Sequence, residues 1–178
     1  MASNQIYHST KAQHYVSLII LTILLSCSGK PGNESAIEQG TNSELKKIKL
    51  KDLNDQPLDL SQYRGKVIFL NFWATWCRPC IEEMPSIEKA QVILKGKNIE
   101  FVLASNEEVQ RIQSFIKSRS LKMSYVQLEN MEELNIPALP TSYIFDTYGK
   151  LVFSETGYRQ WDAPENIELI TKIINEHE

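Results

Sequence analysis

Histidine is almost missing from the chain: 178 residues hold three, and His8, His14 and His177 all stand at the ends. Catalysis resting on an imidazole therefore has no residue inside a folded domain to use. Cysteine is as scarce, with Cys27, Cys77 and Cys80 only. A zinc site built on the last two would need a second cysteine pair or clustered histidines, and the chain has neither, so no metal and no cofactor are expected. No basic patch accompanies the net charge of -3, which argues against nucleic acid as a partner. The apolar run from Val16 to Leu25 is too short to cross a bilayer comfortably as a helix. No internal repeat is present.

What is there starts with Trp76-Cys77-Arg78-Pro79-Cys80, two thiols one helical turn apart, directly after the apolar run Val67 to Phe72. This arrangement points to dithiol redox chemistry. A thiolate is the nucleophile in disulfide exchange, and a helix N-terminus lowers its pKa, because unpaired backbone N–H groups and the helix dipole favour negative charge. Cys77 fits that place, and Cys80 lies beneath it, within reach of a mixed disulfide formed on Cys77. The alternative of a purely structural disulfide is weaker, since closing so small a loop removes little entropy from the unfolded chain.

Ahead of this stretch the chain divides into parts of different composition. Residues 1–26 have a polar start with Lys11 and then the apolar run, the form of a signal peptide. Leu24-Leu25-Ser26-Cys27 resembles the lipobox of bacterial lipoproteins, which implies cleavage before Cys27 and its lipidation. The other reading is a secretory signal or weak anchor with an incidental cysteine. Residues 27–44 are rich in Gly, Ser, Asn and Glu, as a flexible tether would be, and the domain is expected over 45–178.

Inside the domain, Ile48 and Leu50 alternate with lysines, and Asn54 to Pro57 supply turn residues before Leu58 and Leu60, a hairpin pattern. Val67 to Phe72 and Ile99 to Ala104 are apolar on consecutive residues, as expected of strands covered on both faces. Ile81, Met84, Ile87, Ala90 and Leu94 recur at helical spacing. Pro85 should kink that helix without ending it. Ser105-Asn106-Glu107-Glu108 has the form of a capping box ahead of Val109, Ile112, Phe115 and Ile116. A short strand over Tyr125 to Leu128, a helical turn over Met131 to Leu134, a hairpin over Thr141 to Glu155 and a capped helix after Asp162 complete the pattern. Alternating strands and helices predict an α/β domain with a mixed central sheet and helices on both faces.

Phe72 to Cys80 together with Leu139-Pro140-Thr141 resemble the thioredoxin fold, and more narrowly the membrane-tethered TlpA/ResA-type thiol-disulfide oxidoreductases. The N-terminal β-hairpin and the insertion Asn106 to Leu128 fit the same group. The resemblance implies that Cys77 attacks, that Cys80 resolves and that the two form the redox disulfide. It also implies a cis peptide bond at Pro140, exposing the Leu139 backbone to an extended substrate strand, with Trp76, Arg78, Leu139 and Thr141 as substrate contacts. Pro137 is the other nearby proline, and either could be an ordinary loop residue. Asn71 departs from ordinary thioredoxins, which have a buried Asp there. Glu83, three residues after Cys80 on the same helix face, matches a glutamate that governs thiol ionisation in ResA-like proteins, although a solvated helix carboxylate, as expected of Glu82, is the alternative. Arg78 could favour the Cys77 thiolate or be a plain surface residue, and core packing explains Trp73 as well as function does.

The implied activity is thiol-disulfide exchange in the bacterial cell envelope, facing the periplasm. The enzyme would reduce disulfides of exported proteins, apocytochrome c before haem attachment among them. Its partners would be protein thiols and disulfides, a membrane redox protein as electron donor, and the membrane itself through lipid on Cys27, the chain acting as a monomer. Two rivals share the fold. A peroxidase would place a Pro and a Thr or Ser where Leu70 and Ala74 stand, and a copper-delivery lipoprotein would want a C-x-x-x-C with a distant histidine.

Overall fold

The computed structural model describes residues 44–63 and 65–176. The proposed signal peptide, Cys27 and all of the tether except Glu44 lie outside the described residues, as do the terminal His177 and Glu178. A 3-10 turn, Leu45–Lys47, leads into β1 (Leu50–Lys51), which pairs antiparallel with β2 (Pro57–Leu58). Asp52 makes the turn between them, its carboxylate accepting the N–H groups of Asn54 (2.8 Å) and Gln56 (2.9 Å). A second 3-10 turn, Leu60–Tyr63, precedes β3 (Val67–Phe72), whose six residues are all buried.

Helix α1 (Arg78–Ile93) runs unbroken through Pro85. It stops before Gly96, whose φ of +87° is a left-handed conformation that glycine adopts at little cost. Then come β4 (Ile99–Ser105), α2 (Val109–Lys117), β5 (Ser124–Leu128), a third 3-10 turn (Met131–Leu134), the hairpin β6 (Thr141–Phe145) and β7 (Leu151–Thr156), and α3 (Pro164–Glu176). Asp146 turns this hairpin by the device used at Asp52, accepting from Tyr148 and Lys150, each at 2.9 Å.

The strands form one sheet in the order β2-β1-β5-β4-β3-β6-β7. β3 runs parallel to β4 and antiparallel to β6, so the sheet is mixed. Both faces carry helical cover, as expected, but of different kinds. Val67 and Phe69 enter a core with Met84 and Ile87 of α1, Ile112 of α2 and Ile174 of α3. Ile68, Leu70 and Phe72 face the other way, into a core closed by the 3-10 residues Leu45, Leu60, Met131 and Leu134. Phe69 anchors the α-helical side, its ring 4.9 Å from Phe101 and 4.7 Å edge-on from Trp161.

The two expected caps are not made. Ser105 is the last residue of β4, held extended opposite Gln127, so its side chain cannot cap a helix that starts four residues on. Glu108 occupies the cap of α2 without a side-chain hydrogen bond. Asp162 turns to Lys89, 3.4 Å away.

Candidate functional site

β3 delivers the chain to the site. Beyond Phe72 the strand is prolonged by Trp73, whose N–H donates to Ala104 of β4 (3.1 Å), and Cys77 N–H closes a turn onto the Ala74 carbonyl (3.1 Å). Cys77 is the N-cap of α1, extended at φ -81° and ψ 95°, and its sulfur accepts the Cys80 N–H at 3.3 Å. Pro79 sits in the first turn, where its missing N–H costs nothing. Cys77 and Cys80 are joined in a disulfide with their Cα atoms 5.3 Å apart. Cys77 is 4% exposed and Cys80 fully buried, so only the first of the two residues keeps any contact with solvent. When the pair is reduced, the Cys80 N–H and the helix end favour a thiolate at Cys77, whereas burial opposes one at Cys80.

The surface around the disulfide is made by its neighbours. Trp76 is 69% exposed, while Trp73 is a core residue packed on Phe115 and Tyr125. Arg78 projects into solvent and pairs with Glu82 one turn along at 2.8 Å.

Glu83 is fully buried, unlike Glu82. Asn71 Nδ2 donates to Glu83 Oε1 at 2.7 Å and to Ser142 Oγ at 3.0 Å, and the Arg159 backbone N–H donates to Glu83 Oε2 at 3.1 Å. The Trp161 indole N–H also bears on this carboxyl without reaching hydrogen-bond geometry. Burial pushes the Glu83 carboxyl from its ordinary 4.5 up to about 7, against the opposing pull of the Arg159, Asn71 and Trp161 donors. Such a group can hold or release a proton near neutral pH, one helical turn from Cys80. Asn71 is thus tied to the Glu83 carboxyl, and its own Oδ1 is buried without a partner.

The Leu139–Pro140 bond is cis. Thr141 lies opposite Phe72 in the β3–β6 register, so the Pro140 loop and the Cys77 loop leave the same end of neighbouring strands. The Pro140 carbonyl accepts the Gly157 N–H at 2.8 Å. The Thr141 hydroxyl is buried between the Ala138 carbonyl (2.8 Å) and Thr156 (3.0 Å), and Leu139 packs at the edge of both cores. The structure therefore gathers Trp76, Cys77, Arg78, Cys80, Glu83, Leu139, Pro140 and Thr141 at one end of the sheet.

Ser142, Arg159 and Trp161 also reach this site, and none of them was among the residues expected from the sequence. They lie about seventy residues or more from the groups they meet, and no local pattern marks them. Among the described residues, no cluster of His, Cys, Asp and Glu could hold a metal ion, and no helix is long and apolar enough to cross a membrane.

Residues 41–154 match the model of the AhpC/TSA family. The thiol-disulfide oxidoreductase ResA of Bacillus cereus is 31% identical over 149 residues, covering 76% of this chain and 84% of that protein. ResA of Bacillus subtilis is 31% identical, covering 71% of each chain. The thioredoxin domain of a thiol-disulfide oxidoreductase from Bacteroides vulgatus superposes with a TM-score of 0.61 at 21% identity, over 72% of this chain and 93% of that one. A thioredoxin-family thiol:disulfide interchange protein from Chlorobium tepidum gives 0.56 at 21% identity, over 73% and 92%. These likenesses agree with a mixed sheet carrying a C-x-x-C at the head of α1, and with them the chain belongs to the ResA-type thiol-disulfide oxidoreductases of the AhpC/TSA family.

Proposed function

We propose that the enzyme reduces disulfides of exported proteins in the bacterial envelope, with Cys77 attacking and Cys80 resolving. The observation that carries this reading is the unequal setting of the two sulfurs, one at the helix cap with an N–H on it and the other sealed beneath. The Cys77 thiolate attacks a client disulfide, forming a mixed disulfide and releasing one client thiol. Cys80 gives its proton to Glu83 and attacks Cys77 Sγ, releasing the second client thiol and leaving the Cys77–Cys80 disulfide. A thiol donor in the membrane then returns the two electrons. Trp76, Leu139 and Pro140 line the approach of an extended client segment, Thr141 braces the Pro140 loop, and Arg78 is a surface charge held by Glu82. Apocytochrome c awaiting haem, with its paired cysteines oxidised to a disulfide, fits this chemistry as a client.

Trapping in cells tests the assignment. Cys80→Ala should accumulate mixed disulfides through Cys77, and Cys77→Ala should not. Limiting alkylation of the reduced chain that labels Cys80 first would overturn it. A peroxidase reading lacks both the Pro and the Thr or Ser it would need, since Leu70 and Ala74 stand in their places as buried apolar residues, and catalytic peroxide reduction with a thiol as electron donor would favour it instead.

The lipidated Cys27 completes the proposal, holding the domain at a membrane, facing the periplasm, as a monomer on its tether. Intact mass of membrane-extracted protein should show acyl groups on an N-terminal Cys27, more than one because a single chain holds only marginally. An unmodified Cys27 in the soluble fraction would contradict this.

A further inference from the structure

We propose that Glu107, between β4 and α2, is a positioning residue for the redox centre, its carboxylate holding the Thr75–Trp76 segment so that Cys77 enters α1 with its sulfur on the helix end. This rests on Cys77 as the attacking thiol. Glu107 Oε2 accepts the Thr75 N–H at 2.6 Å and Oε1 accepts the Thr75 hydroxyl at 2.7 Å. Two short bonds from one carboxylate to one residue fix both its place and its orientation, and charge on the acceptor strengthens them. The Glu107 side chain is only 9% exposed, so water competes little for it. Ser105 Oγ supports Oε2 at 3.3 Å, and Arg111 approaches Oε1 from the solvent side at 3.5 Å.

The loop needs such an anchor. Trp73 is tied to β4 and Cys77 to Ala74, but between them Trp76 is exposed and gives no packing anchor. Glu107 supplies the tie two residues before the nucleophile, from a segment 32 positions away. The apparent capping box at Ser105 is thereby accounted for: both its hydroxyl and the neighbouring Glu107 serve the redox loop rather than α2.

Geometry and charge act in opposite directions here. Held in place, Cys77 gains the helix end and the Cys80 N–H, which favours its thiolate. The negative charge of Glu107 by itself disfavours a nearby thiolate. The other charged groups at this end are the Arg78–Glu82 pair on α1, Glu83 beside Cys80, Arg111 on α2, and Arg159 paired with Glu155. All of them are unaltered in the variants below.

The test is the rate of Cys77 alkylation by iodoacetamide against pH on the reduced full chain, with the modified site assigned by mass spectrometry. Glu107→Ala removes clamp and charge together, and its midpoint should move to higher pH, with alkylation at neutral pH slowed roughly threefold or more. Glu107→Gln can accept the Thr75 N–H through its carbonyl and donate to the Thr75 hydroxyl through its amide, so its midpoint should lie at or below that of wild type. Thr75→Val, which loses one of the two bonds, should move in the direction of Glu107→Ala and carries the same comparison if that variant does not fold. The proposal is overturned if Glu107→Ala does not shift, or if the Ala and Gln variants shift together. Labelling of Cys80 ahead of Cys77 in wild type would instead sink the assignment of the nucleophile.

Discussion

Replacing Glu83 by Gln separates the shape of the buried carboxyl from its titration. The amide occupies the same space between Asn71 and Arg159, and the buried, unpartnered Asn71 Oδ1 can accept from it once the Asn71 side chain turns over. In the folded wild type the carboxyl titrates at about 7, raised by burial from its ordinary 4.5. Below the ordinary value both folded and unfolded chains hold the proton. Between the two values the unfolded chain releases it while the folded chain keeps it, so wild-type stability falls as pH rises, and above about 7 the loss is complete. A gap of this size corresponds to roughly 3 kcal/mol. Denaturant unfolding of the oxidised protein at a series of pH values should therefore show Glu83→Gln gaining on wild type by about 3 kcal/mol from acid to mild alkali, whatever constant offset the amide introduces. In the reduced protein, proton transfer by a positioned side chain is worth about 10²- to 10⁴-fold, so thiol exchange should slow in the mutant and its pH–rate profile lose the limb owed to the carboxyl. Parallel stability curves together with superimposable rate profiles would refute the role of Glu83 as proton acceptor.

Two further substitutions probe the groups that hold this carboxyl. Asn71→Leu removes a donor that favours the charged carboxylate, so the Glu83 limb in the pH–rate profile should move to higher pH; movement to lower pH would contradict the hydrogen-bond assignment. Phe69→Ala empties a fully buried site between Phe101 and Trp161 and should cost about 3–5 kcal/mol in denaturant unfolding. A cost near zero would mean that the ring cluster closes over the gap.

The redox motif was legible in the sequence because its chemistry is local. Cys77, Pro79 and Cys80 lie within one helical turn, and the N–H that meets the Cys77 sulfur belongs to Cys80 itself, so spacing after an apolar strand was enough to place them. The central strand was equally plain, since six consecutive buried residues leave no polar side to misread. The hairpins were legible from local turn residues such as Asn54 to Pro57, because the carboxylates that close them, Asp52 and Asp146, find their partners only two and four residues away. Tertiary structure decided everything that depends on who desolvates whom. Glu82 and Glu83 are adjacent and alike in sequence, yet one pairs with Arg78 in solvent while the other is sealed beneath Arg159 and Trp161, from which it is separated by more than seventy residues. Glu107 read as part of a helix cap and proved to be bound to Thr75, because β4 held Ser105 extended and turned the carboxylate toward the redox loop. Hydrogen bonds within a turn are written in the order of residues; burial, and with it the pKa of a carboxyl, belongs to the packing of segments that the sequence keeps far apart.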